Sequence, residues 1–153
     1  MGERAGDLDL LDHPVARHLL TCTEPALLAY SWLDGTPRSV PMWFHWDGTA
    51  IVLGTPRRAP KIAALRAHPR VAVTIDERVW PYQVLCLRGE ASVELLPDVA
   101  PEYAAAAERY FGVEQGRVWV EQLRGQPMAR VRITPQWANV LDFQTRFPSA
   151  MSA

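Results

Sequence analysis

The chain is expected to fold as a mainly β protein: an antiparallel barrel of about six to seven strands with helices attached. Three observations predict it. Two Asp-Gly pairs, Asp34-Gly35 and Asp47-Gly48, sit between apolar runs and have the chemistry of hairpin turns. Segments such as 128–134 (MARVRIT) alternate apolar and charged residues with the period of a half-exposed strand. No regular alternation of strand and helix, the mark of a parallel sheet, runs through the sequence.

In chain order, residues 1–11 are expected as a flexible lead-in, 12–143 as one domain and 144–153 as a C-terminal tail. A short helix starts after Asp12 as N-cap, with Pro14 early and Val15 and Leu19 on one face, and ends near Thr21. Strands follow over 26–32, 38–46 and 50–55, joined by the two Asp-Gly turns as a meander. Pro41 has no N–H to donate, which places its strand at an edge, at a bulge or against a ligand. A helix over 60–67 is closed by Pro69, and strands run over 70–76 and 82–95. Gly89 marks a bend or bulge in the second of these, and Pro97 ends it. Helices over 102–111 and 117–123 are punctuated by Gly112, Gly116 and Gly125, and strands over 128–134 and 137–143 complete the barrel.

Composition narrows the function. At 153 residues the chain suits one domain with a substantial core. A net charge of -1, with no basic face beyond one turn, argues against nucleic acid. No apolar run approaches the ~20 residues that span a bilayer, and the acidic start MGERAGDLDLLDHP lacks an apolar signal core, so a cytoplasmic protein is expected. Cys22 and Cys86 are expected as reduced packing residues. With His13, His18, His45 and His68 scattered, no metal site is expected.

The informative stretch is the turn after the third strand. No Asp or Glu lies between Asp47 and Asp76, whereas Arg57, Arg58, Lys61, Arg66 and Arg70 all do, and Lys61 is the only lysine among sixteen basic residues. Pro60 suits the first helical position, making Ala59 an N-cap with no side-chain oxygen to satisfy the free N–H groups. The turn is either a solvated basic loop or a seat for an anion such as phosphate, with Thr55 and Arg58 nearby.

The order of motifs adds a resemblance. An Asp-Gly hairpin leads to Pro41, Trp43 and Phe44 in a Pro-x-Trp-Phe run, a strand ends in Thr55, and Lys61 follows six residues later. His68-Pro69-Arg70-Val71 looks like an Asn-Pro-Arg-Val motif, and Gln83-Val84 with Arg88-Gly89-Glu90-Ala91 looks like a strand with a Gly-x-Ala ending. This set resembles the pyridoxamine 5'-phosphate oxidase-like split β-barrel flavoproteins, which include FMN-dependent and deazaflavin-dependent oxidoreductases. The resemblance covers about residues 12–143 and is most specific over 34–94.

It implies a homodimer holding a flavin between its two barrels and acting on a small-molecule substrate. Thr55 and Lys61 look like phosphate ligands, with either Arg57 or Arg58 as a second cation. Gln83 resembles the ring-side contact, and Val40, Pro41, Met42 and Trp43 would offer backbone groups to the isoalloxazine edge. Trp43, Phe44 and Trp46 are read from their residue type as core or dimer-interface aromatics. The Arg and His substrate motif of the pyridoxal-phosphate oxidases is not found after Phe143, so activity on pyridoxamine phosphate is not expected. The expected function is FMN-dependent hydride transfer. The alternatives are a reductase using the deazaflavin coenzyme F-420 and a non-catalytic flavin- or haem-binding module.

Overall fold

The structure is a computed structural model in which residues 4–146 are described; residues 1–3 of the expected lead-in and 147–153 of the expected tail lie outside them. A 3-10 helix, Leu8–Asp12, precedes α1 (Pro14–Leu19), β1 (Ala26–Ser31), β2 (Pro37–Met42), β3 (His45–Trp46) and β4 (Ile51–Pro56). The chain continues through α2 (Lys61–Ala67), β5 (Arg70–Glu77), β6 (Gln83–Leu96), α3 (Pro101–Phe111), α4 (Val113–Leu123) and β7 (Met128–Asp142). The seven strands form one sheet in the order β2-β1-β5-β6-β7-β4-β3, every pair antiparallel. The protein is mainly β, as the turn chemistry predicted.

The strand order explains the barrel. β2 and β3 are the two ends of the sheet, yet only Trp43 and Phe44 separate them in sequence. The sheet must therefore curl until its edges meet there, leaving the barrel split at that point. Consequently the strand expected over 38–46 is two strands, and the expected meander is corrected: β2 pairs with β1, while β4 pairs with β3 and β7. Arg109 of α3 holds the closure by donating to the carbonyls of Phe44 and Cys22. The placement of Pro41 on an edge strand agrees with its missing donor.

The interior follows from alternation. Val71, Val73 and Ile75 of β5, Leu85 and Leu87 of β6, Ile51 and Leu53 of β4, and Leu28 of β1 point into one core. Val15, Ala16 and Leu19 of α1 and Leu65 of α2 close it. The two strands expected over 128–134 and 137–143 are one. Along β7 the buried alternation runs through Ala129, Val131, Ile133 and Pro135, then through Ala138, Val140 and Asp142, so the phase shifts by one residue between Pro135 and Ala138. That shift is the bulge: Arg88 pairs with Trp137 and Gly89 with Pro135, leaving Gln136 unpaired between.

Other corrections are local. The N-cap of α1 is His13, whose Nδ1 accepts from the Val15 N–H at 3.2 Å, because Asp12 is already inside the preceding 3-10 helix. Part of the expected lead-in packs on the barrel: Leu10 is buried in the core, and the Gly6 N–H donates to the Ala138 carbonyl at 2.8 Å. α4 begins at Val113, so Gly116 lies inside a helix, where a Cβ would sit 2.6 Å from the Glu108 Cα of α3. Its glycine serves close helix packing rather than a turn.

Asp47, in the turn between β3 and β4, carries a pH prediction. Burial pushes its carboxyl pKa up, but the N–H groups of Thr49 and Ala50, the Arg132 guanidinium and the Thr49 hydroxyl together hold it well below the usual carboxylate range. A carboxyl with a depressed folded pKa contributes stability that is present above its unfolded pKa, near 4, and is lost as pH falls through the folded value. Acid unfolding followed by circular dichroism should therefore show a shallower stability loss below pH 4 in Asp47→Asn than in wild type. Parallel curves would refute the assignment.

Candidate functional site

The site is built where β4 runs into α2. Thr55 is the last inward-facing residue of β4 and is 3 % exposed, so its hydroxyl needs a partner. The Lys61 Nζ, six residues on, donates to the Thr55 Oγ1 at 3.3 Å. Lys61 is half-buried at the start of α2, and burial pushes its pKa below the usual lysine value. The N-cap of α2 is Pro60 rather than the expected Ala59, whose carbonyl accepts from the Ile62 N–H at 3.1 Å. No side chain caps the helix at either position.

The charges around this pair are uncompensated. Among the described residues Arg17, Arg78, Arg117, Arg124, Arg130 and Arg132 all pair with carboxylates, whereas Arg57, Arg58, Lys61, Arg66 and Arg70 make no ion pair. Arg57 and Arg58 are exposed and line a cavity of about 500 Å³ with Pro56, Gln126 and Pro127, in which the Arg57 N–H donates to the Pro127 carbonyl. Neither Thr55 nor Lys61 lines that cavity, so the two arginines neighbour the pair along the chain, in the same turn. Arg66 is exposed further along α2, and Arg70 opens β5.

The remaining residues named from the sequence fall elsewhere. Val40, Pro41 and Met42 lie on the edge strand β2, opposite Leu28, Leu27 and Ala26. The Trp43 ring packs under α3, stacked on Tyr110 at 5.1 Å and edge-on to Phe111 at 4.7 Å. Phe44 is fully buried, and Trp46 packs against the core. Gln83 opens β6 opposite Glu77 and Asp142. Thr55 instead pairs with Ala129, and Ala129 with Leu95, so Gln83 lies at the other end of the β6–β7 ladder. One chain does not bring Gln83 to Lys61.

Sequence reasoning passed over Tyr103 and Tyr110. They stand seven residues apart on α3, a helical spacing that puts both on the Trp43 side. Tyr103 also rests on Gly54, where a Cβ would meet its ring at 2.8 Å, so α3 seats directly over the strand that carries Thr55.

A split antiparallel barrel with an uncompensated cationic turn at one strand end defines the class, and comparison with known proteins gives the family. The family model described as pyridoxamine 5'-phosphate oxidase matches residues 14–142. The chain belongs to that family. Among solved structures, one named F420 Reductase is 25% identical, over 79% of this chain and 93% of its own, with a TM-score of 0.64. A conserved hypothetical protein of Mycobacterium tuberculosis is 21% identical over 94% and 89%, with a TM-score of 0.67. A protein of Clostridium acetobutylicum related to general stress protein 26, of the pyridoxinephosphate oxidase family, is 16% identical over 89% and 90%, with a TM-score of 0.61. The latter two show the fold. No curated protein matches the chain significantly. Among the described residues no helix is long and apolar enough to cross a membrane.

Proposed function

We propose that this chain is a flavin-type oxidoreductase whose cofactor phosphate is held by Lys61 and Thr55, with Arg57 or Arg58 as the second cation. One observation carries the reading: a half-buried amine bonded to a buried hydroxyl and to no carboxylate, in a turn whose two arginines also lack an acid partner. A desolvated cation without a counter-ion is costly, and a phosphate oxygen accepting from Lys61 and the Thr55 hydroxyl would remove that cost. FMN, with one phosphate, needs no more than this. The bound cofactor supplies the hydride chemistry, and the protein supplies placement and electrostatics.

The edge strand β2 would offer the backbone of Val40, Pro41 and Met42 to the ring, with that of Trp43 just beyond its end, since only an edge leaves such groups unpaired. Gln83 reaches a ring seated on Lys61 only from a second copy of the chain, which makes the working unit a homodimer. A second reading, the deazaflavin coenzyme F-420, is favoured by the similarity to F420 Reductase and by the number of unpaired arginines, which exceeds what one phosphate requires.

Competitive titration of the apoprotein with both cofactors separates the two, because surface contacts to an acidic tail are screened by salt whereas a half-buried phosphate contact is less so. Tighter F-420 binding that weakens steeply with salt selects the deazaflavin, and tighter FMN binding that is nearly salt-independent selects FMN. Failure to bind either, or sedimentation of the loaded protein as a 17.2 kDa monomer, would overturn the shared-site reading.

A further inference from the structure

A second cationic concavity lies on the outer face of the barrel, on strands that do not carry the Thr55–Lys61 pair. Register places Ala29, Ala72, Arg88 and Trp137 in one row across β1, β5, β6 and β7, all at outward positions. Small side chains at Ala29 and Ala72, with Gly89 beside them, leave a floor where sheet surfaces usually carry long polar residues. The result is a cavity of about 500 Å³, within the range of small-molecule sites. Arg38, Arg70 and Arg88 all line it, together with Ser31.

Two features separate this cluster from ordinary solvated arginines. The Arg88 guanidinium lies 3.9 Å over the Trp137 ring and that of Arg38 4.7 Å over Trp32, so both forks are held in place before any ligand arrives. None of the three makes an ion pair among the described residues, although Glu90 sits directly across from Arg70. The geometry points to a second anion site, distinct from the Lys61 seat, that takes a small phosphate ester or diphosphate. Planar guanidinium forks match phosphate oxygens two at a time, and three of them around one concavity suit a multiply charged phosphate better than a single carboxylate.

Titration calorimetry of the full chain with inorganic pyrophosphate at low ionic strength tests this. Two binding events are expected: one lost in Lys61→Ala, the other weakened at least tenfold in Arg38→Gln/Arg88→Gln. Arg70→Gln, which disturbs no aromatic contact, should weaken the same event and keep the wild-type melting temperature. Citrate should bind this second site at least tenfold more weakly than pyrophosphate. If Lys61→Ala removes all pyrophosphate binding, or if the arginine variants bind as wild type does, the second site is overturned while the Lys61 seat stands. Citrate binding as tightly as pyrophosphate would overturn the phosphate assignment. A single wild-type event that the arginine variants weaken and Lys61→Ala leaves intact would overturn the Lys61 seat and support this site.

Discussion

Gly89→Ala is expected to destabilise the protein by about 3 kcal/mol, the upper range for overpacking a filled site, and to lower its melting temperature by roughly 6–12 °C. A Cβ at residue 89 would sit 2.1 Å from the Thr134 carbonyl oxygen and 2.9 Å from its carbon. Both are backbone atoms, and they cannot step aside. Arg88 is registered to Trp137 on one side of the bulge and Glu90 to Thr134 on the other, so relieving the clash means breaking the β6–β7 ladder at its centre. Gly54→Ala provides the contrast. Its Cβ would meet the Met128 Sδ and the Tyr103 ring at 2.8 Å and the Tyr103 Cβ at 3.0 Å, side-chain contacts that a small shift of α3 relieves without breaking a strand ladder, so a smaller loss is expected. Thermal unfolding of the two variants checks the order, and an unchanged melting temperature for Gly89→Ala would show that the bulge relaxes freely.

That bulge also shows what could be read in the sequence. Gly89 inside an alternating strand announces an irregularity, and the structure puts a bulge there. Its consequence on the partner strand was written in the chain too, as an inward phase that passes from Ile133 to Ala138, but a phase break resembles the end of one strand and the start of another. Only the neighbouring strand decides between them. The same limit applies at Trp43 and Phe44. Nothing local shows that the chain changes edges there, because closure is a property of the whole sheet order.

The candidate site was legible to the extent that it was contiguous. Thr55 and Lys61 are six residues apart across one turn, so charge pattern and helix position suffice to pair them, and their side chains meet at 3.3 Å. Gln83 shows the reverse case, since its distance from Lys61 follows from strand register and not from separation along the chain. Arg38, Arg70 and Arg88 lie on three strands whose adjacency depends on β5 inserting between β1 and β6. No spacing rule would gather them.

Lys61→Ala is expected to weaken cofactor binding by about 1.5–3 kcal/mol, the range for a hydrogen bond to a charged group, or roughly 10- to 150-fold in Kd. The loss should fall on binding rather than on folding. In the free protein the amine is partly desolvated and pairs only with the Thr55 hydroxyl, so removing it deletes a strained charge along with one neutral contact. A pH signature separates this role from simple packing. Burial lowers the Lys61 pKa in the free protein, and a bound phosphate would favour the charged form and raise it again. A group whose pKa rises on binding gives affinity that is complete below the free-state value and is lost as pH climbs through the bound-state value. Wild-type affinity should therefore fall on the alkaline side, Lys61→Ala should show weak binding without that fall, and Lys61→Arg should restore part of the affinity while shifting the fall to higher pH. Fluorescence titration of FMN or F-420 against each variant measures all three, and wild-type affinity in a folded Lys61→Ala protein would remove Lys61 from the phosphate site.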